Sequence, residues 1–88
     1  MSTRRWFRAR TPEALGTALR RAREVSGLSQ EMLAQQAETS RPTVSRAERG
    51  SSIASGTVID LATACGYEIV LVPRGARVTV ASTDGAPA

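Results

Sequence analysis

The side chains best suited to bind another molecule lie between residues 40 and 49, where arginines are interspersed with hydroxyl groups. A guanidinium is a planar, permanently charged fork of hydrogen-bond donors, and it matches the paired acceptors of a guanine edge or a phosphate. Serine and threonine hydroxyls bind base acceptors or phosphate oxygens. The side chains predicted to approach base edges are Arg41, Ser45 and Arg46, with Ser40, Pro42 and Thr43 at the margin of the same surface.

A short helix would point Pro42, Ser45, Arg46 and Arg49 away from its apolar side chains. Ser40 is a suitable N-cap, Pro42 costs no hydrogen bond in a first turn, and Gly50 favours a stop. At about 100° per residue, the apolar side chains Val44 and Ala47 share the opposite face. Because so thin an apolar stripe leaves the arginine face free to bind, the pattern predicts a helix placed in a DNA major groove.

Residues 13–66 resemble the Xre/Cro/C1 family of helix-turn-helix regulators. The resemblance is carried by residues 27–30 (GLSQ), 40–45 (SRPTVS) and 48–50 (ERG). It implies a mainly α, lambda-repressor-like helix-turn-helix domain of four to five helices that binds a double-stranded DNA operator. The continuation GYEIVLV, residues 66–72, is similar to HipB-type antitoxins, in which a strand after the helical domain mediates dimerisation.

The family pattern also implies roles for polar residues outside the base-reading face. Gln30 matches a position that commonly binds a DNA phosphate and braces the recognition helix, which is the helix predicted after Ser40 to enter the major groove. The alternative is a glutamine that is simply solvated. Arg49 is a second candidate for contact with the DNA backbone. Glu48 shares the inner face of its helix and needs a partner. Arg23 matches the position that supplies such a partner in phage repressors of this family. We expect a partly buried Arg23–Glu48 pair that orients the recognition helix more than it adds stability.

One residue departs from the family pattern. Glu38 stands in the turn between the second and third helices, where the family usually places glycine. If this residue has a positive φ, a glutamate there costs about 1 kcal/mol relative to glycine. We therefore expect a turn that is strained or shaped differently.

The chain is predicted to divide into four parts. These are an Arg-rich N-terminal arm at residues 1–10, the helix-turn-helix domain at 11–66, one or two C-terminal dimerisation strands at 67–81, and a flexible tail at 82–88. The arm has two interpretations: contact with the DNA backbone or minor groove, or packing of Trp6 and Phe7 on the body or on a partner.

Residues 67–72 form a β-rich run bounded by Gly66 and Pro73. A lone strand leaves its backbone groups unpaired, so it needs a partner strand. The partner is either the same strand of the mate in a homodimer or residues 77–81, folding back across 73–76 as a hairpin. The residues predicted to mediate dimerisation are Tyr67, Ile69, Val70, Leu71 and Val72.

The charge of the chain is unevenly distributed. Its 88 residues carry a formal net charge of +4. All twelve basic residues are arginines, ten of them within residues 1–50, where only five acidic residues stand against them. The basic half of the chain is therefore the half with the helix-turn-helix pattern, as DNA binding requires.

The composition argues against an enzyme, a cofactor and a bound metal. There is no histidine or lysine and a single cysteine, Cys65, which ends an apolar helical pattern and is expected to be a buried thiol. The usual metal clusters and nucleophile–base pairs are therefore missing. No apolar run reaches the roughly 18 residues of a membrane span, and the start lacks a signal-peptide core. A cytoplasmic protein without membrane contact is expected.

These observations predict a dimeric, sequence-specific DNA-binding transcriptional repressor. The resemblance to HipB-type proteins implies the antitoxin and autorepressor of a toxin–antitoxin operon, with a HipA-like kinase toxin as partner. Two alternatives remain open. One is a stand-alone or phage-type repressor, and the other is a protein-interaction adaptor that has kept the fold and lost DNA binding.

Overall fold

A computed structural model describes residues 5–81 of the chain. Their secondary structure is mainly α, with four helices: α1 (Pro12–Val25), α2 (Gln30–Gln36), α3 (Arg41–Glu48) and α4 (Ser55–Ala64). The lower of the two predicted helix counts is therefore correct for this part of the chain. The predicted flexible tail, residues 82–88, and the first four residues of the arm lie outside the described residues.

Local capping signals set the starts of α1, α2 and α3. The hydroxyl oxygens of Thr11, Ser29 and Ser40 each accept a hydrogen bond from the backbone N–H three residues further on, at 3.0 to 3.2 Å. These bonds satisfy N–H groups that have no partner within the helix. Proline in the first turn of α1 and of α3 sacrifices no helical hydrogen bond.

The four helices end in the same way, with one exception in residue type. In each case the residue after the cap has a positive φ, and it is glycine after α1, α3 and α4 but Glu38, with φ 57°, after α2. There the N–H of Thr39 donates to the carbonyl of Ala34 at 2.9 Å, and that of Glu38 to Gln35 at 3.2 Å. This is a Schellman ending, in which the left-handed residue turns the chain back over the last carbonyls. Glu38 thus meets the condition on which the cost of a glutamate in this turn depends.

Replacing Glu38 by glycine is therefore expected to raise the free energy of unfolding by about 1 kcal/mol, since glycine has no Cβ to clash in the left-handed region. Urea unfolding of the two proteins measures the difference. Glu38→Ala is the matched control, because it removes the exposed carboxylate but keeps the Cβ. An equal gain in the alanine variant would show that charge, not backbone conformation, sets the cost.

The core lies between all four helices. Its largest fully buried side chains are Leu33 of α2, Val44 of α3 and Leu61 of α4, and α1 adds Leu19 and Ala22. Helix α3 packs against both α1 and α2. The apolar face predicted for the recognition helix is thus the face that anchors it to the body.

The residues around the core complete this packing. Ile53, ahead of α4, packs against the buried cluster. The thiol-bearing Cys65 is buried as expected, with 2% of its surface exposed. The hydroxyl of Ser26 at the end of α1 donates to the carbonyl of Cys65 at 2.7 Å, which ties the ends of α1 and α4 together.

The C-terminal strand predicted at residues 67–72 is not formed, since the structure contains no β-strand among residues 5–81. The predicted reversal is present: the N–H of Ala76 donates to the carbonyl of Pro73 at 3.0 Å, and Gly75 has φ 83°. The residues on either side of this turn nevertheless do not pair into a hairpin. A strand requires a partner ladder, and a single copy of this chain does not supply one.

The described part of the arm, residues 5–10, rests on the helical body through Phe7. The rings of Phe7 and Tyr67 are 5.8 Å apart between centroids, and both residues pack against the buried cluster. Trp6 stays 41% exposed, with the guanidinium carbon of Arg8 5.4 Å from its ring centroid. Phe7 therefore packs on the body, as the second of the two interpretations of the arm predicts.

Candidate nucleic-acid interface

Helix α3 has a buried face and an exposed, basic face. Val44 and Ala47 are 0% and 4% exposed. On the other side Arg41 and Arg46 are exposed, and Ser45 is half-buried between them. Within residues 5–81 neither arginine forms an ion pair, so both charges are available to a ligand. The structure thus leaves the two predicted base-reading arginines exposed on α3, with Ser45 partly exposed.

Hydrogen bonds within α3 fix several of the remaining polar groups. The hydroxyl oxygens of Ser40 and Thr43 are 2.9 Å apart, and the Ser40 oxygen also accepts from the Thr43 N–H at 3.2 Å. Arg49 Nη1 donates to the Ser45 hydroxyl. Ser40 is therefore primarily the cap of α3, whereas Arg49 is held along the exposed face by a neighbour one turn earlier. Pro42, in the first turn, is exposed.

Beneath this surface an ion pair connects α1 to α3. Arg23 Nε donates to Glu48 Oε2 at 2.6 Å and Nη2 donates to Oε1 at 3.1 Å, a bidentate geometry. The side chains of Arg23 and Glu48 are only 12% and 6% exposed. The hydrogen bond to Glu48 raises the pKa of Arg23 above its usual value, against the opposing effect of desolvation. A third donor, Arg23 Nη1, reaches the carbonyl of Leu28 at 3.0 Å.

Gln30 belongs to the same network. Its Nε2 donates to Glu48 Oε1 at 3.0 Å. The carboxylate that binds Arg23 of α1 therefore also joins α2 to α3. Glu48 consequently accepts from one residue of each neighbouring helix. The geometry corresponds to the bracing half of the expected Gln30 role, while its contact with a DNA phosphate stays a prediction.

A close backbone contact that sequence reasoning missed sets the spacing between α1 and α3. A methyl group at Gly16, the buried glycine of α1, would lie 2.6 Å from the carbonyl oxygen of Glu48 and 2.7 Å from that of Ala47. It would also lie 2.8 Å from the N of Gly50. Helix α1 thus touches the end of the recognition helix backbone to backbone. A glycine inside an otherwise helical pattern is the sequence signal for such an approach.

The predicted dimerisation residues lie outside the α3 surface. Tyr67 is half-buried against Phe7, whereas Ile69, Val70, Leu71 and Val72 are 43%, 65%, 97% and 46% exposed. The last three line an open groove of about 360 Å³ together with Trp6 and the arginines Arg8, Arg10 and Arg74. This groove and the nearby Ile69 contain most of the large apolar side chains exposed on the described chain.

Residues 5–81 were compared with the requirements of a metal site and of a membrane-spanning helix. No three histidine, cysteine or acidic side chains come close enough together to hold a metal ion in this part of the chain. Neither α1 nor the three shorter helices combine the length and apolarity of a membrane span. The exposed face of α3 and the apolar groove are the surfaces on which a functional assignment rests.

Comparison with known proteins points to one class. A family model described as a helix-turn-helix domain matches residues 14–74. The chain is similar to the clp gene regulator ClgR from Corynebacterium glutamicum, with 32% identity, TM-score 0.62, and coverage of 66% of this chain and 76% of that one. It is also similar to the restriction-modification controller protein C.AhdI from Aeromonas hydrophila, with 36% identity, TM-score 0.61, and coverage of 65% and 88% respectively. No curated protein matches.

Proposed function

The chain belongs to the helix-turn-helix domain family, and from this membership we propose that it is a sequence-specific DNA-binding transcriptional regulator acting as a repressor. The observation that carries the proposal is that α3 buries Val44 and Ala47 but exposes Arg41 and Arg46, which form no ion pair within residues 5–81. A helix of this kind fits a major groove, where guanidinium groups pair with guanine edges. Both similar proteins are named as a regulator or a controller, which supports the same class.

We assign three kinds of DNA contact to these side chains. Arg41, Ser45 and Arg46 read base edges. The groove margin is contacted from the first turn of α3 by Ser40, Pro42 and Thr43. Gln30 and Arg49 contact the DNA backbone from either side of the recognition surface, and backbone contacts position the protein without reading sequence.

Arg46→Ala is expected to cost about 1 to 3 kcal/mol on the preferred site and to relax the preference at particular base positions. Folding should be unaffected, because Arg46 is exposed and forms no ion pair within residues 5–81. The preferred site is first selected from random duplexes, and both proteins are then titrated on it and on single-base variants.

Arg77→Ala removes the same charge at an exposed position outside α3, and it should leave base preference unchanged. If Arg46→Ala binds every duplex with the wild-type order of preference, Arg46 does not read bases. The alternative, a protein-interaction adaptor that has lost DNA binding, predicts a different result. An adaptor would show neither a sequence preference nor a steep dependence of affinity on salt.

We also propose that two copies pair through residues 67–72, which would place two recognition helices on adjacent half-sites. One antiparallel register fits this segment well. Centring it on Leu71 sets Leu71 against its own copy and Glu68 beside the partner's Arg74. Pro73, which has no N–H, then falls opposite Ile69 in a pair that exchanges no backbone hydrogen bonds. Pairing would also cover Leu71, which is 97% exposed in the single chain.

A charge-swap experiment tests the dimer. Leu71→Glu and Leu71→Arg should each be monomeric, since like charges would meet at the two-fold axis, and an equimolar mixture should form a heterodimer. Analytical ultracentrifugation measures the masses. Ile59→Glu, at a half-exposed apolar position of α4, should leave the dimer intact. If Ile59→Glu is monomeric while the Leu71 variants stay dimeric, the dimer contact lies on α4 and not at residues 67–72.

The biological setting that we propose is autoregulation of a toxin–antitoxin operon, with a HipA-like kinase toxin bound by this chain. It is supported by the resemblance of residues 66–72 to HipB-type antitoxins. The similarity to ClgR, a clp gene regulator, and to C.AhdI, a restriction-modification controller protein, favours the alternative, a stand-alone repressor. Co-expression with the product of the adjacent gene discriminates between them, because an antitoxin would co-purify with its toxin in fixed stoichiometry.

A further inference from the structure

A second concentration of arginines lies away from the recognition helix. The arm crosses the outer face of α1, and between them is an open cleft of about 260 Å³. Its lining consists of three arginines, one acid and three other side chains: Arg5, Arg20, Arg21, Glu24, Phe7, Thr17 and Val25. On a helical wheel the α1 residues of this lining project away from the buried Leu19 and Ala22.

Two of the three guanidinium groups are already positioned. The Arg5 guanidinium carbon lies 5.9 Å from the ring centroid of Phe7, which is itself fixed against Tyr67. Arg20 Nε is 3.2 Å from Glu24 Oε2 across one helical turn. Holding Arg5 in advance lowers the entropic cost of binding a ligand, whereas Arg20 is already occupied by Glu24.

The charge in the cleft is not balanced. Glu24 pairs with Arg20, and within residues 5–81 no other acidic side chain lines the cleft. Arg5 and Arg21 consequently add two positive charges that no acidic side chain of this lining balances. The hydroxyl of Thr17 adds a neutral donor.

We propose that this cleft binds a phosphorylated anion carrying two or more negative charges, held by Arg5, Arg21 and Thr17. Guanidinium forks match phosphate oxygens in pairs, and a hydroxyl donates to a third oxygen. The cleft is slightly smaller than the roughly 300 Å³ at which drug-sized pockets begin, so it accommodates one or two phosphate groups rather than a large ligand. Free polyphosphates and the DNA backbone share this chemistry.

Inorganic pyrophosphate is the probe for a free ligand, and the full chain carries its own reporter. Trp6 is the only tryptophan and adjoins Phe7 in the arm. Pyrophosphate should change its fluorescence saturably, and Arg21→Gln should weaken binding by at least about tenfold, the cost of one charge-assisted hydrogen bond. Arg77→Gln, an exposed arginine outside the cleft, should change the affinity by less than about twofold. Circular dichroism checks that both variants are folded.

Duplex titrations identify the source of the phosphate. If Arg21→Gln lowers DNA affinity and reduces the salt slope by about one contact while Arg77→Gln does not, the ligand is the DNA backbone. If pyrophosphate binding is lost in Arg21→Gln but DNA affinity is unchanged, the ligand is a free anion. Equal losses in both variants, or no effect of Arg21→Gln in either titration, would overturn the proposal. The pyrophosphate titration does not depend on the proposed DNA-binding function.

Discussion

Glu48→Ala is expected to lower the free energy of unfolding by about 3 kcal/mol, the scale observed when one partner of a buried ion pair is removed. The variant leaves the guanidinium of Arg23, whose side chain is 12% exposed, without the carboxylate that accepts two of its hydrogen bonds. It also deprives Gln30 of its acceptor. Because three helices meet at this carboxylate, the loss should also loosen the orientation of α3 and weaken DNA binding beyond the unfolded fraction.

Urea unfolding of Glu48→Ala, Arg23→Leu and the double variant measures the coupling between the two side chains. The double variant should be less destabilised than the sum of the single ones, since Arg23→Leu removes the charge that Glu48→Ala leaves stranded. Glu24→Ala is the control. It breaks the i,i+4 pair with Arg20, whose side chains are 62% and 51% exposed, and should cost no more than about 0.5 kcal/mol. Strict additivity at Arg23 and Glu48 would contradict the interaction.

Elements specified by local sequence were predictable. Thr11, Ser29 and Ser40 cap the helices whose starts they indicate, because capping needs only a hydroxyl and the N–H groups of the next turn. The buried face of α3 follows from the spacing of Val44 and Ala47. The departure from glycine at Glu38 marks the turn where the structure has a positive φ on a residue other than glycine.

Features that depend on packing between distant segments were not predictable in the same way. The amide of Gln30 bonds Glu48, 18 residues away, and no local pattern indicates that choice. The position of the arm across α1 depends on Phe7 meeting Tyr67, residues at opposite ends of the domain. The strand at residues 67–72 was predicted from its β-branched side chains, yet β structure also requires a paired edge, which the sequence of one segment does not encode.

Gly16→Ala is expected to lower the free energy of unfolding by about 2 to 3 kcal/mol, at the upper end of overpacking costs. Alanine is the better helix former, so propensity alone predicts the opposite sign. The added methyl would lie under 3.0 Å from backbone atoms of Ala47, Glu48 and Gly50, none of which can rotate away as a side chain can. Thermal unfolding followed by circular dichroism measures the change.

Gly56→Ala supplies the matched control, because a Cβ at Gly56 in α4 would meet nothing within 4 Å. That variant should be neutral or more stable by a few tenths of a kcal/mol, the direction set by helix propensity. If Gly16→Ala leaves the free energy of unfolding unchanged, the backbones of α1 and α3 can separate enough to admit the methyl group at no cost.

The steric effect at Gly16 and the ion pair are linked, which allows a sharper test. Moving the end of α3 away from α1 would relieve the clash, and that movement would stretch the 2.6 Å bond between Arg23 and Glu48. Gly16→Ala and Glu48→Ala should therefore be less than additive, because the first variant has already weakened the interaction that the second removes. Gly56→Ala combined with Glu48→Ala should be additive. Additivity in both pairs would mean that α1 accommodates the methyl group without displacing the recognition helix.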